Sequence, residues 1–103
     1  MTKASRAHDE AVVELLREDP SFADEYLTAA LDEAHLPGGH AALLAALRHV
    51  AEAQGMTAVA ERAGIPRGSM YRVLSSNGNP TIKTLLAVLH ATGLKLALQR
   101  HAT

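Results

Sequence analysis

Between residues 59 and 74 the chain reads VAERAGIPRGSMYRVL. Two guanidinium groups (Arg67, Arg72), two hydroxyls (Ser69, Tyr71) and a bare backbone position (Gly68) fall close together there. Guanidinium forks donate in pairs to phosphates and to the acceptor edge of guanine, so the chemistry on offer is recognition of an anion or a base edge. On a helical wheel Met70, Val73 and Leu74 gather on one side. The opposite arc holds Gly68, Tyr71, Arg72 and Ser75, flanked by Arg67 and Ser69, and carries no acid. Gly68 costs a helix about 1 kcal/mol relative to alanine. Its missing side chain admits close approach of a nucleic acid or of the preceding helix. Lys83, near Asn79, is a candidate phosphate contact, and Tyr71 serves equally well as a packing residue.

Such a face needs a device to present it. A helical pattern runs into Gly64-Ile65-Pro66 and resumes at once. Counted from Met56, Ala60 is a small residue on the side that must face the next helix. Gly64 tolerates φ > 0, and Ile65 is an apolar anchor for the turn. Pro66 opens the second helix where its lost N–H is harmless, and Met70 and Val73 point inward. These offsets are those of a helix-turn-helix over residues 56–75, whose second helix leaves one face free for the major groove. The competing structural explanation is an ordinary helix corner with arginines for solubility.

Other segments share the helical period. SRAHDEAVVELLRED places Val12, Leu15 and Leu16 on one side of a short helix. In DPSFADEYLTAALDEA, Asp19 is the expected N-cap and Pro20 the first helical residue, with Phe22, Tyr26, Ala30 and Leu31 inward. Leu36-Pro37-Gly38-Gly39 makes a turn, and the next helix carries Leu43, Leu47, Val50 and Ala51 to Gly55. Asn79-Pro80-Thr81 opens a helix with Ile82, Leu85, Leu86 and Leu89 at i, i+3, i+4 and i+7, and Gly93 ends it. In the tail, Leu94, Leu96 and Leu98 alternate with Lys95, Ala97 and Gln99, a strand-like period. A lone strand has nothing of its own to pair with, so pairing with a second chain and dimerisation are expected, and extended coil is the alternative.

The 103 residues suit one domain, and alanine and leucine abound beside only three aromatics. Charge divides it: residues 1–37 carry nine acids and three bases, and residues 38–103 carry two acids and seven bases, with no acid after Glu61. An acidic helical region, 1–37, is expected to pack on a region 38–103 that faces a polyanion. Cysteine is absent, which excludes disulfides, thiolate zinc sites and cysteine nucleophiles. No apolar run reaches the roughly 20 residues of a bilayer span and no signal-peptide pattern opens the chain, so a cytoplasmic location is expected. The six histidines form no i,i+4 pair, serines 69, 75 and 76 lack a nucleophile elbow, and no Gly-rich phosphate loop is present. Neither an enzyme nor a metal or cofactor site is expected.

The segments DPSFADEYLTAAL, ALLAALRHVAEAQGM, VAERAGIPRGSMYRVLS and GNPTIKTLLAVLHATGLKL together resemble the addiction-module antidote proteins, a branch of the HigA-type antitoxins with a Cro/C1-like helix-turn-helix. GNP, the TLL helix and the Gly-Leu-Lys-Leu ending are the most specific part, and the resemblance covers Asp19 through Leu98. It implies an antitoxin that binds a RelE/HigB-type ribonuclease toxin and represses its own operon as a dimer. By position it implies base-reading roles for Arg67, Gly68 and Arg72, with Ser69 and Tyr71 as neighbours. Cro/C1-like domains often begin the motif with a phosphate-contacting glutamine; Met56 stands there in this chain. The acidic region would then suit a basic, RNA-cleaving partner. The fold expected is all-α, a five-helix Cro/C1-like domain with N-terminal helices and a short C-terminal extended or β segment. The rival functions are a stand-alone transcriptional regulator and a protein-interaction module that no longer binds DNA.

Overall fold

The computed structural model of the protein describes residues 3–100. It consists of α1 (Lys3–Glu18), α2 (Phe22–Asp32), α3 (Gly39–Gln54), α4 (Met56–Ala63), α5 (Arg67–Val73) and α6 (Ile82–Ala91). The all-α expectation holds; among the described residues the helices number six and not five, with Gly55 alone, at φ 103°, between α3 and α4. The C-terminal segment, expected to be extended or β, is coil over residues 94–100 of the single chain, and among the described residues there is no strand. No described helix is long and apolar enough to cross a membrane.

Helix α3 is the centre of the packing. It meets α1, α2 and α4, and α4 in turn meets α5 and α6. Three neighbours explain why α3 buries Leu44, Ala46, Leu47, His49, Val50 and Ala51, an arc wider than one stripe, with Leu43 only half-buried. The core continues through Leu27, Val59, Met70, Leu74 and Val88. Gly39 lies so close to the end of α2 that a Cβ there would sit 2.1 Å from the Glu33 carbonyl oxygen, which makes glycine obligatory at that corner.

Three predicted faces are turned in part. In α2, Ala23 and Leu27 are the buried residues and Leu31 is exposed, while Phe22, Tyr26 and Ala30 pack half-buried against the core. Val12 and Leu16 of α1 keep their core contacts. In α1, Val13 and Leu16 are buried whereas Leu15 is exposed. Asp9, Val13 and Leu16 (i, i+4, i+7) form the inner line, because Asp9 reaches a buried partner on α3. In α6 the inner line is Leu85, Val88, Leu89 and Thr92, leaving Ile82 76% exposed and Leu86 exposed. That helix is apolar almost all round, so spacing alone cannot choose its face. At the start of α2 the N-cap is Ser21 and not Asp19, and Pro20 lies before the helix; the Asp19 carbonyl accepts from the Phe22 N–H in the preceding turn. Its carboxylate accepts from the Ser21 hydroxyl at 2.6 Å instead of from the helix backbone, so the helix proper begins at Phe22.

Candidate nucleic-acid interface

Helices α4 and α5 are joined by residues 64–66. Gly64 sits at φ 71°, ψ 30°, in the left-handed region open to glycine. Its N–H bonds the Glu61 carbonyl and the Ile65 N–H bonds the Ala60 carbonyl. This pair of bonds is the Schellman ending, and the half-buried Ile65 packs against the core as its apolar anchor. Ala60 is buried, as a close crossing requires. Pro66 (φ −57°, ψ 140°) is the N-cap and not the first helical residue; its carbonyl accepts from the Met70 N–H. Met70 and Leu74 are fully buried and Val73 half-buried, which pins the inner side of α5.

The other side is exposed and organised. The Arg67 guanidinium lies over the Tyr71 ring, 5.6 Å from its centroid, a cation–π contact. Tyr71 is therefore a surface residue that steers Arg67. Arg72 donates from Nη2 to the Ser69 hydroxyl at 2.9 Å, and the Ser75 hydroxyl donates to the Arg72 carbonyl. Gly68 lies between these groups, and a Cβ built there meets nothing within 4 Å. Of the two reasons considered for that glycine, packing against the preceding helix is thus removed. Lys83 is exposed in the first turn of α6, which Thr81 caps by accepting from the Thr84 N–H. Met56 is buried in the core, and no side chain caps α4.

Not every cation of the basic half faces outward. Arg62 donates from Nε to the Ala91 carbonyl at 2.8 Å and approaches Gln54, which itself donates to the Thr92 carbonyl. It caps α6. Arg48 caps α5 through the Leu74 carbonyl at 2.7 Å. Sequence reasoning missed both, because each partner lies 26 or more residues away. In the tail, Gly93 and Leu94 repeat the Schellman bonds at the end of α6, and Leu94 packs into its own core. Leu96 is exposed and Leu98 fully so.

The N-terminal half holds one polar network. His49 is only 3% exposed. Its Nε2 lies 2.9 Å from Asp9 Oδ1 and its Nδ1 2.7 Å from the Tyr26 hydroxyl. A carboxylate only accepts, so Nε2 carries a proton; in the neutral ring Nδ1 then accepts from the Tyr26 hydroxyl. Burial, and then the Asp9 charge, raise the Tyr26 pKa above its ordinary 10.0, with Arg48 opposing. The phenol therefore stays protonated at neutral pH. Its role is to tie α1 and α2 to α3. Among the described residues no group of three or more potential metal ligands occurs.

Comparison with known proteins places this geometry in context. A protein of Haemophilus influenzae described as uncharacterized is 40% identical over 58 residues, which are 56% of this chain and 60% of that protein. The chain thus matches less than two thirds of that relative's length. No solved structure matches. The family model described as "Probable addiction module antidote protein" matches residues 8–100, nearly the whole chain. The chain belongs to the addiction module antidote family.

Proposed function

We propose that this antidote is a DNA-binding antitoxin whose α4 and α5 form a helix-turn-helix of the HigA-type, Cro/C1-like kind, with α5 reading operator DNA. The observation that carries the reading is the outer side of α5: Arg67 stacked on Tyr71, Arg72 held by Ser69, a bare Gly68 with open space above it, and no acid. Ordered guanidinium groups suit guanine edges and phosphates, and Lys83 adds a phosphate contact. Membership of an antidote family implies a cognate toxin. We assign that role to a RelE/HigB-type ribonuclease, whose phosphate-binding surface the exposed acids of α1 and α2 complement.

The chain represses its own operon as a homodimer, with half-sites about 34 Å apart or a multiple of it. Leu96 and Leu98 are the tail residues offered to a second copy, since Leu94 is committed to its own core. The protein acts in the cytoplasm by binding and not by catalysis. The test is a titration of the purified chain on a duplex from upstream of its own gene, at several salt concentrations. Binding with a steep salt slope is expected; absence of retention at low salt would sink the DNA reading. Co-expression with the adjacent small open reading frame should restore growth and give a co-purifying complex. A toxin that neither binds nor is neutralised would sink the antitoxin reading.

A further inference from the structure

We infer that Arg48, on α3, is a positioning residue for DNA binding: it seats α5 from behind and touches no phosphate itself. The inference rests on the reading of α5 as the DNA-contacting helix. Helix α5 has only seven residues and no side-chain N-cap bond, so it cannot hold its shape alone. Its last carbonyls lack intrahelical partners and carry the negative end of the helix dipole. Arg48 Nη1 donates to one of them, Leu74 O, at 2.7 Å, while the Leu74 side chain is buried beneath it. Two turns earlier on the same helix, His40 Nε2 meets the Gly78 carbonyl at 3.2 Å. Helix α3 thus grips the end of α5 and the loop that follows.

The half-buried Arg48 belongs to α3 and meets α5 at its end carbonyl, not on the acid-free arc of Gly68, Tyr71 and Arg72. It lines a 410 Å³ groove between α1 and α3 in which Arg6 and Arg17 stand among Asp9, Glu10, Glu14 and Glu52, a mixed lining that offers a polyanion no basic patch. Its positive charge is therefore directed at the recognition helix and not at the duplex. Arg67 and Arg72 keep their aim only while that end of α5 is held, because a recognition site loosened by about an ångström loses its contacts.

The experiment compares Arg48→Met, which keeps the stem and removes the donors, with Arg48→Lys, which keeps one donor and the charge. Amide exchange in the full chain and binding to the upstream duplex are both read. In Arg48→Met, exchange at Leu74 and Ser75 should quicken while α2 amides keep their protection. Duplex affinity should fall about three- to tenfold, as expected for loss of a charge-assisted bond. The salt slope should stay at the wild-type value, since no phosphate contact is lost. Arg48→Lys should recover most of both effects. Unchanged exchange at the end of α5, or a lowered salt slope, would overturn the role whatever else is seen. Unchanged affinity of Arg48→Met beside a weakened Arg67→Ala control would overturn the role and leave the DNA reading standing. A wild-type chain that binds no duplex would overturn the DNA reading, and the docking role of Arg48 with it.

Discussion

The two halves that pack on α3 use charge in opposite ways. In α1 and α2 one carboxylate, Asp9, is drawn inward to a buried histidine, and the other acids stay on the surface. Around α4, α5 and α6 the cations divide: Arg48 and Arg62 are tied to helix-end carbonyls, whereas Arg67 and Arg72 form a surface of their own. The difference teaches that regional net charge overstates a binding face. Cations that cap helices must be subtracted first; of those that remain, Arg67 and Arg72 sit together on α5, Lys83 lies on α6, and Lys95 and Arg100 follow in the tail.

Both halves share one wall, and the largest effect should come from breaking it. Leu47 is fully buried in α3. Leu47→Ala should cost about 3 kcal/mol, read as a lower urea midpoint. If only one half lost its structure, the view of α3 as a common centre would fall. The second effect separates the halves. Arg67→Ala with Arg72→Ala should lower affinity for the upstream duplex by roughly a hundredfold and reduce the salt slope by about two, with the melting temperature nearly unchanged. Retention of full affinity would mean that α5 is not the reading helix.

How much of this was legible in sequence depended on the range of the interactions. The turn was legible: Ala60, Gly64 and Ile65 act within six residues, and local backbone chemistry dictates their types. The inner side of α5 was legible as well. The faces of α1 and α6 were not. Asp9 turns α1 through a partner 40 residues away, and the ten residues of α6 are too apolar for periodicity to choose among. Arg48 and Arg62 looked like surface cations because their carbonyl partners appear only in three dimensions.

A smaller effect probes the acidic half alone. Tyr26→Phe leaves His49 Nδ1 without its donor in a buried place and should cost about 1–2 kcal/mol at neutral pH. The pH dependence has a definite sign. The folded pKa of Tyr26 lies above its unfolded value, so its contribution is complete below about pH 10 and is lost as pH rises through the folded pKa. Tyr26→Phe should flatten that alkaline fall. An unchanged alkaline limb in urea titrations would show that Tyr26 does not govern it. Duplex affinity should not move, because the Tyr26 hydroxyl bonds His49 and neither Arg48 nor α5.

The smallest effect is the most discriminating, since its two readouts should move in opposite directions. Gly68 is exposed on α5, and a methyl group there meets no atom of the protein. Gly68→Ala should therefore stabilise the fold by about 0.5–1 kcal/mol, through the helix preference of alanine and a less flexible unfolded chain. For folding alone, the glycine is the poorer choice. A backbone that must come within contact distance of a duplex supplies the missing reason, because the same methyl group would then stand between α5 and the groove. Gly68→Ala is accordingly expected to melt higher and bind the upstream duplex more weakly, by a few-fold. If it melted higher and bound as tightly as before, the outer side of α5 would not approach DNA at Gly68, and the contact would have to be carried by Arg67 and Arg72 at arm's length.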